Sequence, residues 1–413
     1  MDFQPQPEIR VHRMKKFSFI YWCAVPILTL ILSEVALRFI PSSFQRPYRI
    51  SYRNRLGIGQ ELIPNLHEKN WHTCFGTTNY STNQWGMRDR PRSLAKTIPR
   101  IAVLSDSFME AEQVNDDTVL NHQLERLYDN QVEVLNFAMG GIGTTHEAIL
   151  YDTWVRQFRP DMVLLMFSLA NDISNNSYAL EKIVYKGHPF LVYREINGDL
   201  ANTEVINQKK QLRQWLLRYS ALARFLKQMN VSWHYRSSAT LVASPTASTT
   251  ETVGERYYSL RQEQYLLPLD AEWEDAWRVT ELEITRLNRQ VRQDGAELVV
   301  MIMPDQSELE DDTSFLAEGD MPTRALGRQI DLSAPRIRLI NYLKKEQIPV
   351  YDLASDMKEY ALAQALPKPF YSFSCDLHWT PLGHQVATNF VFDYLENSSS
   401  TAAGFLRSAS PLR

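Results

Sequence analysis

Residues Ile101–Phe108 read IAVLSDSF. Four apolar residues run straight into Ser105-Asp106-Ser107, the pattern of a strand buried on both faces that ends in polar residues at its carboxyl edge. Val132–Phe137, Met162–Phe167, Leu298–Met303 and Pro349–Leu353 are further short apolar runs. Between them Asp117–Tyr128, Thr145–Phe158, Ala271–Gln293 and Ala334–Lys345 carry the longer amphipathic spacing of helices. Continuous Val/Ile/Leu/Met strands alternating with helices predict an α/β fold, a parallel sheet with helices on each face.

The rest of the chain sets bounds on this reading. Its 413 residues are 44% hydrophobic and 22% charged with only 15 Gly and 20 Pro, which excludes collagen-like and wholly disordered classes. A net charge of −4 provides no basic field for nucleic acid, so no nucleic-acid partner is expected. Cys23, Cys74 and Cys375 form no CxxC pair and are too few for a disulfide framework. Cys74 and Cys375 are candidates for a single bridge, which two cysteines alone do not specify.

Five regions follow in order. Residues 1–16 read as a cytoplasmic N-terminus, and 17–40 as a transmembrane anchor in which Glu34 and Arg38 are the charged residues. As a helix that run reaches about 36 Å, enough for the roughly 30 Å hydrocarbon core, so a lipid bilayer is an expected partner. Arginines and lysines are balanced on its two sides, which leaves orientation open. Residues 41–98, with Pro41, Pro47, Pro64 and Pro91, read as a stem. The main domain is expected over 99–395, interrupted by an insertion at 173–270. The insertion contains a helix at Val205–Met229 and a Ser/Thr/Ala/Pro-biased mobile loop at 237–252. Residues 396–413 read as a flexible tail. Thr380 as N-cap and Pro381 at the first helical position mark the start of the last helix.

Several constellations are absent: there is no GxSxG elbow, no GxxxxGK[ST] loop and no HExxH pair. No metal or cofactor is expected. Four polar segments instead fall where strands end or the last helix begins: Ser105-Asp-Ser107, Asn136 to Gly143, Leu169-Ala-Asn171-Asp172 and Asp376-Leu-His378-Trp379. In an open parallel sheet, ligands bind along that edge. Together the segments hold the parts of an acyl-transfer site. A serine at a strand end can serve as nucleophile, a histidine as its base and an aspartate as the group that fixes the imidazole tautomer. A glycine N–H and an asparagine amide can serve as oxyanion donors.

These blocks, IAVLSDSF, NFAMGGIGTTHE, LANDISNN and CDLHWTPLGH, resemble those of the SGNH (GDSL-type) hydrolase superfamily over residues 99–395. The resemblance implies a flavodoxin-like, three-layer parallel sheet and assigns Ser107 as nucleophile, His378 as its base, Asp376 as the orienter of that base, and the N–H groups of Ser107 and Gly141 with the Asn171 amide as oxyanion donors. The span ending SEVALRF and the NQWGMRD element resemble a membrane-anchored bacterial branch, whose domain lies outside the cytoplasmic membrane. Two positions depart from the superfamily pattern, Ser105 and Leu169 standing where glycines are usual. The expected activity is a serine esterase or O-acyltransferase on an ester-bearing cell-envelope substrate, such as an O-acetylated polysaccharide. The competing expectation is a non-catalytic envelope protein that keeps the fold to bind glycan or partner proteins. No protein partner is specified by the sequence.

Overall fold

The computed structural model describes residues 9–39, 52–55, 59–72, 74–180, 193–196, 199–202, 216, 220–223, 225–226, 260–317, 321–398 and 404. The chain divides into two compact units, Met1–Ile50 with Asn207–Ser248, and Ser51–Ile206 with Thr249–Arg413.

In the first unit, helix α1 (Ile9–Phe39) carries Pro26 in its interior. The expected anchor lies within it except for residue 40, and its side chains are described only over residues 24–39. That is fewer than the roughly 20 apolar residues a span requires. Among the described residues no helix is long and apolar enough to cross a membrane, so the structure supplies an N-terminal helix and not a demonstrated span. Glu34 on α1 accepts from Ser220 Oγ (2.8 Å) and from the backbone N–H groups of Ala221 (2.8 Å) and Leu222 (3.0 Å). Most of the expected Val205–Met229 helix, the loop 237–252 and most of the tail lie outside the described residues.

The second unit is built on five parallel strands: β1 (Arg100–Leu104), β2 (Glu133–Asn136), β3 (Met162–Ser168), β4 (Glu297–Met303) and β5 (Val350–Tyr351). Their order is β5-β4-β3-β1-β2, the flavodoxin-like arrangement. Alternate residues of the strands point to opposite faces. Ala102, Leu104, Val163, Leu165, Val300 and Ile302 pack with helices α4 (Thr144–Thr153), α6 (Ala271–Gln293) and α7 (Ala334–Lys345). Ile101, Val103, Leu164, Met166, Val299 and Met301 pack with α3 (Leu120–Leu127), α8 (Leu353–Ala363) and α9 (Pro381–Asn397). Two short helices, α2 (Ser107–Glu110) and α5 (Asp172–Asn175), open directly after β1 and β3.

The expected stem is corrected over most of its length. From Ser51 onward it belongs to the second unit, with an antiparallel hairpin (His67–His72 with Gly76–Ser81) followed by the NQWGMRD element. The physical reason is in the side chains. Tyr80, Met87, Arg88, Asp89 and Arg92 are buried, and the two arginines spend their donors on the core. Arg88 donates to Val114 O (2.7 Å) and to the carbonyls of Glu110 and Ala111. Arg92 grips Asp89 through two 2.8 Å bonds. Proline content marked this stretch as irregular, which it is, but irregular backbone here is pinned by buried ion pairs.

Candidate active site

β1 delivers the nucleophile candidate. Asp106 caps α2 by accepting the Phe108 N–H (2.9 Å), which makes Ser107 the first helical residue at the sheet edge. Ser105, where glycine is usual in the superfamily, is fully buried and donates its hydroxyl to Met166 O (3.1 Å). Its side chain thus ties β1 to β3. Leu169, the second departure, is buried core.

The C-terminal block arrives on a small hairpin, Ser372–Phe373 paired with Asp376–Trp379. Its turn is held by a disulfide between Cys74 and Cys375 (Cα–Cα 5.8 Å). Across the sheet edge, His378 Nε2 lies 2.7 Å from Ser107 Oγ, and His378 Nδ1 is hydrogen-bonded to Asp376 Oδ1. Asp376 Oδ1 also accepts the His378 backbone N–H (3.0 Å), and Oδ2 accepts from Gln113 Nε2 (3.3 Å). Burial pushes the Asp376 carboxyl up, but these donors and the neighbouring imidazole outweigh it and bring the group down to about 2. Phe108 packs against the imidazole, ring centroids 5.0 Å apart. The imidazole is thereby fixed between a carboxylate on one nitrogen and a hydroxyl on the other.

Gly141 lies in the turn after β2 with φ +75°, a conformation that favours glycine. Gly143 is required for a different reason: a Cβ there would stand 2.9 Å from Asn175 Cβ and 2.9 Å from Asn176 Oδ1. The turn is held by Met139 N–H to Ser105 O (3.1 Å), by Gly140 N–H to Glu110 Oε2 (2.5 Å) and by Asn175 Nδ2 to Ile142 O (3.1 Å). Asn171 precedes α5 after β3, is buried, and accepts the Ser168 hydroxyl on Oδ1 (2.7 Å). Its amide also hydrogen-bonds the Asp106 carboxyl, and the Nδ2 group carries a second N–H. Behind this edge Asp106, Glu147 and Asp172 are fully buried. Burial pushes all three carboxyls up, and mutual repulsion adds to it for Glu147 and Asp172.

The structure thus joins Ser107, His378 and Asp376 in one hydrogen-bonded chain and sets Gly141 and Asn171 beyond the carboxyl ends of β2 and β3, the strands on either side of β1. His146 and His384 are buried, and burial lowers them to about 4 and about 3. They are neutral core residues. Trp379 is core as well, edge-on to Phe108 at 5.6 Å. Gln113 and Glu110 escaped the sequence reading. Each lies in the polar stretch after the nucleophile with no motif to mark it, and each acts on a residue distant in sequence. A cavity of about 330 Å³ lined by Glu308, Ser333, Arg336 and Lys358 contains none of the site residues. Among the described residues, no group of three His, Cys, Asp or Glu side chains is placed to hold a metal ion.

A flavodoxin-like sheet with Ser, Gly, Asn and an Asp-x-His segment along its carboxyl edge is what the resemblance to the SGNH hydrolases implies, and the C-terminal part of the chain matches a family of that kind. Residues 260–407 match the family model described as SGNH hydrolase-like domain, acetyltransferase AlgX. That stretch holds β4, β5 and the Asp376–His378 segment. No match was found among curated proteins. Solved structures with a likeness include a GDSL-like lipase from Bacteroides thetaiotaomicron VPI-5482 (9% identity, 73% of this chain and 91% of that chain, TM-score 0.33). An acetylxylan esterase from Geobacillus stearothermophilus, as a catalytic mutant, is similar at 8% identity (73% and 95%, TM-score 0.35). An α/β hydrolase from the metagenome of Lake Arreo, Spain, is similar at 11% (76% and 98%, TM-score 0.35).

Proposed function

We propose that the chain is a membrane-anchored serine esterase or O-acyltransferase of the SGNH type, acting on an ester of a cell-envelope substrate, with O-acetylated polysaccharide as the favoured class. The observation that carries this reading is the Ser107–His378–Asp376 chain. Ser107 Oγ attacks the ester carbonyl while its proton passes to His378 Nε2. Charge builds on the carbonyl oxygen, and the N–H groups of Ser107 and Gly141 with the Asn171 amide receive it. The tetrahedral species collapses as the ester C–O bond breaks, and the departing alcohol takes the proton from His378. The acyl-serine is then resolved by water, giving an esterase, or by a sugar hydroxyl, giving a transferase. His378 serves as base in that second attack.

Two features support the envelope setting. A disulfide persists in oxidising compartments, and Cys74–Cys375 lies in the unit that carries the site. Residues 17–40 are apolar enough in sequence to anchor α1 in a bilayer, which would hold the domain beside its substrate. The test uses the purified full chain with p-nitrophenyl acetate and, separately, an O-acetylated polysaccharide, with acetate release as the readout. Ser107→Ala should reduce both rates to background. A deacetylated glycan added as acceptor should gain acetyl groups if transfer operates. Undiminished hydrolysis by Ser107→Ala would overturn the proposal.

A further inference from the structure

The carboxylate of Glu110 lies in the unit's interior, fully buried, at the last position of the helix that Ser107 opens. A buried carboxylate is costly unless its oxygens are matched by donors. Here both are: Tyr80 Oη donates to Oε1 (2.7 Å), and the Gly140 backbone N–H donates to Oε2 (2.5 Å). Tyr80 is itself buried, with the Arg88 guanidinium 4.7 Å above its ring, and Arg88 donates to the Glu110 carbonyl. One side chain therefore links three elements: the nucleophile helix, the hairpin His67–Ser81 and the glycine turn after β2.

Its consequence falls on Gly141. The Gly141 N–H belongs to the peptide plane that begins at Gly140, so fixing Gly140 N while Gly141 keeps φ +75° restricts where that N–H points. Without the Glu110 bond the turn retains its anchors at Met139 and Ile142, but the two glycines between them are free to rotate. We infer that Glu110, held by Tyr80, is a positioning residue for the oxyanion donor Gly141, setting the distance between that N–H and the ester carbonyl held at Ser107. The inference rests on the functional reading above and adds to it the element that orients the donor.

The experiment measures p-nitrophenyl acetate hydrolysis by the full chain, with rates expressed per serine labelled by a fluorophosphonate, so that unfolded protein is not counted. Glu110→Ala should lower kcat roughly 10–100-fold, the scale of a donor displaced by about 1 Å. KM and the pH profile should stay unchanged, since neither the binding surface nor the Asp376–His378 pair is altered. Glu110→Gln should restore kcat to within about threefold of the parent, because its amide oxygen can accept from Gly140 and its NH₂ can donate to Tyr80. Tyr80→Phe, which removes the Tyr80 bond to Glu110 and keeps the Gly140 bond, should show a smaller kcat loss of several-fold, and it carries the test should Glu110→Ala not fold. Unchanged kcat per labelled serine in Tyr80→Phe and Glu110→Ala overturns the inference. So does a loss confined to KM, or a Glu110→Gln variant as impaired as Glu110→Ala. Failure of the parent protein to label at Ser107 would count against the functional reading itself, and is separate from these outcomes.

Discussion

Breaking the Cys74–Cys375 bond tests how the Asp376–His378 hairpin is held. The two cysteines are 301 residues apart in sequence, so the bond closes most of the chain into one loop. In the chain-entropy treatment a loop of that length restricts the unfolded ensemble by about 5–6 kcal/mol at 25 °C, while measured bonds more often deliver about 2–4 kcal/mol. Cys74→Ser, Cys375→Ser and the double variant should each lose about 2–5 kcal/mol, all by the same amount, because either change removes the same bond. At roughly 2 °C per kcal/mol for a chain of this size, the midpoint should fall by roughly 4–10 °C in differential scanning calorimetry. Reductant should bring the parent protein to the same midpoint and leave the variants where they are. Activity should fall less than stability. Trp379 stays buried, and Thr380 N–H keeps its 2.6 Å bond to Tyr371 O, so the far side of the hairpin remains fixed. A loss of about tenfold or less in kcat is expected from looser placement of the imidazole. A parent protein whose midpoint ignores reductant, or two single variants that differ widely, would refute the reasoning.

The carboxylate of Asp376, held at about 2, stays ionised above about pH 4, so it adds no second proton to the pH–rate profile in that range. Asp376→Asn should lower kcat by about 10⁴, the serine-protease precedent, and adding His378→Ala should cost little more, because the two act as a unit. Independent, multiplicative losses would show that they do not. Burial pushes Glu283 up to about 8 despite Arg286 nearby, so its contribution to stability is fully present below the ordinary carboxylate range and is lost as pH rises through about 8. Glu283→Gln should therefore remove up to about 1.4 kcal/mol per pH unit from the decline in unfolding free energy between about pH 5 and 8, measured by urea titration. An unchanged slope would show that Glu283 is ionised in the folded protein.

The strands and the long helices were legible because burial dictates their residues. Met162–Phe167 reads as continuous apolar sequence because the strand is covered on both faces, and α6 and α7 begin and end where their apolar spacing does. Thr380 caps the last helix by accepting the Gly383 N–H, as its position before Pro381 implies. The helix α8 was missed because its start, Asp352 capping Ser355 N–H, lies inside the apolar run Pro349–Leu353 that reads as strand. The hairpin before β1 was missed for the opposite reason. Its strand Gly76–Ser81 is GTTNYS, almost without apolar residues, and it is fixed by Tyr80, Arg88 and a disulfide to a cysteine some 300 positions away. Motif order pointed to Ser107, His378 and Asp376, but the supports from Glu110 and Gln113 are contacts between distant segments with no local periodicity to reveal them.

If Ser107 is an activated nucleophile, fluorophosphonate labelling of the purified full chain, followed by peptide mass spectrometry, should find one modified residue, Ser107. Labelling should be abolished in Ser107→Ala and slowed by orders of magnitude in His378→Ala, both variants unfolding as cooperatively as the parent. A folded parent protein that takes no label, or takes it on a residue other than Ser107, would contradict that role for Ser107.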